Sequence, residues 1–170
     1  MELFAIIPQM RANAQRIRAL VEGVSAVQAH WKPDPETWSV LEVVNHLYDE
    51  EREDFRVRLE LILHAPGADW PPIDPPGWVT ARNYNQRDLA ESLRGYLAER
   101  EESLARLAKL GGADWTKSEP TPWGGSITAG DMLAAFAAHD LLHMRQLVEL
   151  HWAWELKLSA PYNPAYAGDW

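Results

Sequence analysis

Leu3, Ile6, Ile7, Met10, Ala14, Ile17 and Val21 recur at the three-and-four spacing of one helical face, while Arg11, Arg16 and Arg18 lie mainly elsewhere. This predicts a first helix over about 2–22, ended by Gly23. Trp31-Lys32-Pro33-Asp34-Pro35-Glu36-Thr37-Trp38 follows, and its two prolines keep it out of a helix. A second helix opens at Ser39-x-x-Glu42, a capping box in which the hydroxyl accepts from an early N–H and the carboxylate reaches back. It runs to about His64, where Pro66 and Gly67 stop it. Leu89, Leu93, Tyr96, Leu97, Leu104 and Leu107 predict a third helix, from Asn85 or Asp88 to Leu110. Pro120, Pro122 and Gly124-Gly125 mark a loop before the second capping signature, Thr128-x-x-Asp131. The fourth helix then reaches about Trp152, and the tail from Ser159, with Pro161 and Pro164, reads as irregular. No segment shows sustained strand alternation.

Four such helices predict an all-α four-helix bundle, a single domain over 1–170. The connection 65–86, between helices two and three, holds five prolines together with Trp70 and Trp78 and is longer than a routine link. It suits a crossover along the bundle or a lid over a pocket. It is long enough to join parallel neighbours, which admits an up-down-down-up order.

Charge narrows the function. Lys+Arg is 16 and Asp+Glu 25, a net charge of −9, with a pI near 5.1. An acidic surface repels phosphate backbones and anionic headgroups, so neither nucleic acid nor membrane is an expected partner. No apolar run reaches the length of a membrane span. Glu2 stands where a targeting signal would be basic, and Pro8 and Arg11 interrupt the apolar start. The chain contains no cysteine, which removes disulfides, thiolate ligands and a cysteine nucleophile, and suits a cytoplasmic location.

The histidines carry the candidate chemistry. His139 and His143 are four apart on the fourth helix, so both project from one face, among Met132, Ala135, Phe136, Leu142, Gln146 and Leu150. That face points into the bundle, and buried imidazoles need partners: a shared metal ion, or a carbonyl or carboxylate across the core. His46, on the second helix, shares its face with Glu42, Asp49, Glu50 and Glu53, opposite the stripe Leu41, Val44, Tyr48, Phe55, Leu59 and Ile62. By periodicity His46 is a solvated residue, unless this helix buries one side in the bundle and the other in a partner subunit. His30 in a turn, and His64 and His151 near helix C-termini, read as structural. Neither the paired Glu-x-x-His of a di-iron bundle nor His-Glu-x-x-His is present, so one metal is expected rather than two.

At Trp38-Ser39-Val40-Leu41-Glu42-Val43-Val44-Asn45-His46-Leu47 and Ala138-His139-Asp140-Leu141-Leu142-His143-Met144-Arg145-Gln146-Leu147 the chain resembles the DinB-like (damage-inducible) superfamily. The resemblance covers most of the chain. It implies an up-down-down-up bundle, usually dimeric, with one divalent metal on His46, His139 and His143. Many members have His-Arg-Gly-Gln where this chain has His143-Met144-Arg145-Gln146, which leaves the metal positions intact but not the arginine's place. Better-understood relatives use the metal to activate a low-molecular-weight thiol, transferring it to an electrophile or isomerising a substrate.

Three neutral imidazoles suit Zn, Ni, Fe or Mn and leave open positions. The first expectation is a metal-dependent enzyme on a small molecule, a thiol S-transferase, with Glu50 or Asp49 beside His46 as base or supporting group. The alternatives are a non-catalytic metal- or ligand-binding stress-response protein, and a structural homodimer whose histidines fill a core.

Overall fold

The computed structural model describes residues 3–168; the expected helix start at Glu2 lies outside them. Helix α1 is Leu3–Val21, and Gly23, at φ +84°, provides the left-handed turn that ends it. A short helix α2, Ala26–His30, precedes the proline-rich segment. The second long helix is composite: α3, Val40–Asp49, passes through a π-helical turn, Glu50–Phe55, into α4, Arg56–His64. Helices α5, Pro75–Ala81, and α6, Leu89–Leu107, follow, and α7 spans Ala129–Ser159. Both capping boxes form. Glu42 N–H donates to Ser39 Oγ at 3.1 Å and Ser39 N–H to Glu42 Oε2 at 2.8 Å; Asp131 N–H donates to Thr128 Oγ1 at 3.0 Å.

The core lies in two halves, and they fix the direction of every long helix. One half gathers Met10, Leu59, Ile62, Leu104, Leu133 and Phe136. The other gathers Ile17, Val21, Val43, Leu47, Leu93, Tyr96, Leu147 and Leu150. Helices α1 and α7 enter at the first half and leave at the second; α3–α4 and α6 run the other way. The chain is therefore an up-down-down-up bundle, in which α1 and α3 each pack on α6 and α7. Among the described residues no helix is long and apolar enough to cross a membrane.

The connection 65–86 is a crossover with its own helix. It packs α5 on α3 and ties itself down at Asp49, which accepts from Arg82 and from Tyr84 Oη. Three features differ from the sequence reading. Residues 118–128 form a hairpin, Ser118–Pro120 against Ser126–Thr128, whose three-residue strands are too short to show alternation. Helix α7 continues past Trp152 to Ser159, because nothing between them breaks it; His151 thus sits within the helix, bonding Leu20 O at 2.6 Å, with Gln28 Nε2 3.1 Å away. Lastly, the stripe read as a possible oligomer surface is internal. Leu41, Val44, Leu59 and Ile62 are all buried in the chain's own core, which takes away the structural motive for the expected homodimer.

Candidate metal centre

Helix α3 is buried on both sides, and this is what turns His46 inward. His46 lies opposite Leu41 and Val44, as the periodicity has it, on turns that precede the π segment; all three are buried, and His46 is only 5% exposed. Its ring meets the face of α7 carrying His139 and His143. His46 Nε2 is 3.3 Å from His139 Nε2, which is 3.0 Å from His143 Nε2. The three ligand atoms lie within 4.8 Å of one another. Two residues that periodicity placed together and one that it placed in solvent thus converge.

The electrostatics keep the rings neutral. Burial, then the neighbouring His143, pushes His46 down to about 3. Burial, with His143 and His46 nearby, pushes His139 down to about 2. Burial also lowers His143, against the opposing contact with Gln146. Neutral imidazoles keep one lone pair each, the state a metal requires. His143 Nδ1 lies 2.8 Å from Gln146 Oε1, an acceptor, which assigns the proton to Nδ1 and leaves the Nε2 lone pair directed at the other rings. With each ring protonated at Nδ1, the three Nε2 lone pairs would converge on one point, where a cation could take them all. The donor set therefore fits a single divalent ion.

Aromatic rings wall the cluster. Trp38 meets His46 edge-on at 5.0 Å between centroids, and Phe55 lies 4.9 Å from His139 and stacks on Phe136. Periodicity missed Trp38 and Gln146 as participants, although Gln146 follows His143 by three residues on the same face, a visible signal.

The two acids considered beside His46 separate. Burial alone would raise Asp49, but Tyr84, Arg82 and Arg52 donate to it and together hold it below the usual carboxylate range. It anchors the crossover. Glu50 stays near the cluster: its Oε1 is 3.7 Å from His46 Nδ1, beyond hydrogen-bond distance, and its carboxyl group shares a hydrogen bond with Asp54. Burial, then the adjacent Asp54, pushes Glu50 up to about 9. Asp54 in turn pairs with Arg58, which lies over the rings of Trp70 and Trp123. Of the remaining histidines, His64 is over half exposed beside Glu60, and His30 is exposed at the end of α2; neither approaches the cluster.

A model of the DinB superfamily matches residues 9–147. No curated protein matches the chain. Among solved structures, the chain is similar to YfiT from Bacillus subtilis, described as a probable metal-dependent hydrolase with an unusual four-helix bundle topology. The likeness has a TM-score of 0.80 at 20% identity and covers 91% of this chain and 88% of that one, and it shows the shared fold.

Proposed function

The chain belongs to the DinB superfamily, and we propose that it is an enzyme that holds one divalent ion on His46, His139 and His143 and acts on a small molecule. The observation that supports this most is the convergence of three neutral imidazoles whose Nε2 atoms face one another at 3.0–3.3 Å. Such an ion supplies Lewis acidity, lowering the pKa of a thiol or water brought to it. The chain's own residues do the rest. Gln146 fixes the His143 tautomer. Glu50 faces His46 Nδ1 at 3.7 Å, where it can take or return a proton near the centre. Trp38 and Phe55 keep water from the sides of the cluster.

We assign an external thiol as the nucleophile, which makes the reaction an S-transfer to an electrophile. The complete lack of cysteine agrees with a thiol drawn from outside the chain. A second reading, water as nucleophile, is favoured by the likeness to YfiT and its description as a probable metal-dependent hydrolase.

Elemental analysis should give about one divalent ion per chain, lost in His46→Ala, His139→Ala and His143→Ala alike. Zinc-loaded wild type and His143→Ala are then compared with several thiols, at matched thiolate concentration, against an aryl halide, and with ester and amide substrates. Thiol-dependent acceleration by wild type alone supports S-transfer, and cleavage without thiol supports the hydrolase. Equal rates in both proteins, with metal bound only to wild type, leave a non-catalytic metal- or ligand-binding protein. Full metal occupancy in the His46 variant removes His46 from the centre.

A further inference from the structure

A roomy cleft lies away from the histidines. It lies on the opposite seam of the bundle, where the end of α1 and the short α2 meet the start of α6, and has a volume of about 610 Å³. That is within the range of small-molecule sites, about 300–1,000 Å³. Neither the three histidines nor Glu50 lines it. Its floor is the core itself: Val21 and Leu93, with Leu97 alongside.

The rim has the sign that the chain as a whole lacks. In a protein of net charge −9, Arg18, Arg87 and Arg94 stand around this opening. The two rim carboxylates are engaged: Glu22 accepts from Arg18 Nε at 2.6 Å, and Asp88 accepts the Glu91 N–H at 2.8 Å as the N-cap of α6. Among the described residues Arg94 pairs with Glu91 alone, at 3.9 Å. Half-buried Arg87 makes no ion pair among the described residues; its Nη1 donates to Asn45 Oδ1 at 2.9 Å, and its guanidinium lies over the Tyr84 ring. A guanidinium held partly out of water and without a carboxylate is an open anion-binding group.

We propose that this α1–α6 cleft binds a small organic anion with an apolar body, at a site separate from the histidine centre. The apolar part rests on Leu93 and Leu97, and the carboxylate is met by Arg87 and Arg94. Arg87 also reaches Asn45, the residue before His46, so the site lies one hydrogen bond from the helix that carries the first histidine.

Calorimetry with full-length protein and decanoate tests this, with decanol and decyltrimethylammonium as controls of equal chain length. Decanoate should bind at one site per chain and the controls at least tenfold more weakly. Arg87→Ala and the exposed Arg94→Glu should each weaken decanoate by about threefold to tenfold, equivalent to about 0.7–1.4 kcal/mol. Ala90→Trp, which fills the cleft from its rim, should abolish binding. Methyl resonances of Leu93 and Leu97 should move on titration. His143→Ala should bind decanoate like wild type, so failure of the metal reading leaves this result untouched. Undetectable decanoate binding, equal affinity for the three amphiphiles, or an unchanged affinity in Arg94→Glu with correct folding overturns the proposal.

Discussion

His139 and Asp140 are consecutive on α7, and Glu50 and Glu51 are consecutive on the π turn, yet each pair divides between two buried clusters. Asp140 and Glu51 turn to Arg100, which is 1% exposed and lies between the rings of Tyr96 and Phe136, where the two core halves meet. Arg100 grips Asp140 with two bonds of 2.7–2.8 Å, donates to Glu51 at 2.6 Å and reaches Met10 O, while Asn13 donates to Asp140 from α1. All four long helices are joined there, and Ser103 adds a hydrogen bond to Glu51. His139 and Glu50 turn to the other side, where ring nitrogens face one another and His46 Nδ1 has no hydrogen-bond partner among the described residues. Arg100, Glu51 and Asp140 are sealed and paired with one another, whereas His139 and His143 are only half-buried and their ring nitrogens face one another. A closed polar cluster fixes a fold, whereas an open one leaves room for a ligand.

The largest test of that contrast removes the centre of the closed cluster. Arg100→Ala leaves two buried carboxylates without their cation and should cost about 3–5 kcal/mol in urea denaturation of metal-free protein. His143→Ala, at the open cluster, should cost far less under the same conditions. A loss equal to that of Arg100→Ala would make the histidines structural.

Metal narrows the gap. At a free ion concentration of 100 times Kd, wild type should gain about 2.7 kcal/mol and His143→Ala almost none, measured as the shift in thermal midpoint.

Acid and base should act on the open cluster from opposite sides. His46 and His139 protonate in the fold only near 3 and 2, whereas in the unfolded chain they do so near 6.5. Metal-free stability is therefore undiminished by these groups above about 6.5 and falls as the pH drops from there toward 3. Glu50 has the reverse sign. Raised to about 9 from 4.5, it contributes fully below 4.5, and that contribution is lost as the pH rises through 9. Glu50→Gln should thus stabilise the metal-free protein at pH 8 by about 1–3 kcal/mol and flatten the alkaline limb of a stability–pH profile.

The smallest effect belongs to the crossover anchor. Tyr84→Phe removes one of the donors to Asp49 and should cost about 1 kcal/mol, with metal stoichiometry unchanged.

Local rules made much of this legible. Ser39/Glu42 and Thr128/Asp131 announce two helix starts because a cap is settled within four residues. His139 and His143 announce a shared face because α7 is regular. His46 was out of reach of periodicity, since an apolar stripe marks one buried side and α3 is buried on both; only the family resemblance placed it with the other two. The Arg100 cluster was equally hidden. Glu51, Arg100 and Asp140 lie far apart along the chain, and a charged residue on a helix ordinarily marks its wet side. Trp38 was visible as a motif residue, but its edge contact with His46 depends on the fold bringing the proline-rich segment back over α3.

The π turn also bears on how the chain tolerates changes of length. Most single-residue deletions within a long bundle helix throw everything beyond them out of phase with the core. A deletion between 50 and 55 is different, because the wide turn already contains the surplus residue and can relax to α geometry with both flanking helices kept. The bundle would survive such a loss with Val40–Asp49 keeping its direction relative to Arg56–His64, because the residue removed is the one by which the turn exceeds α geometry. His46 would stay on the seam, and the side chains within the turn, Glu50 and Glu51 among them, would be the ones re-aimed. Shortening by one residue would thus keep metal binding and change what stands beside the centre.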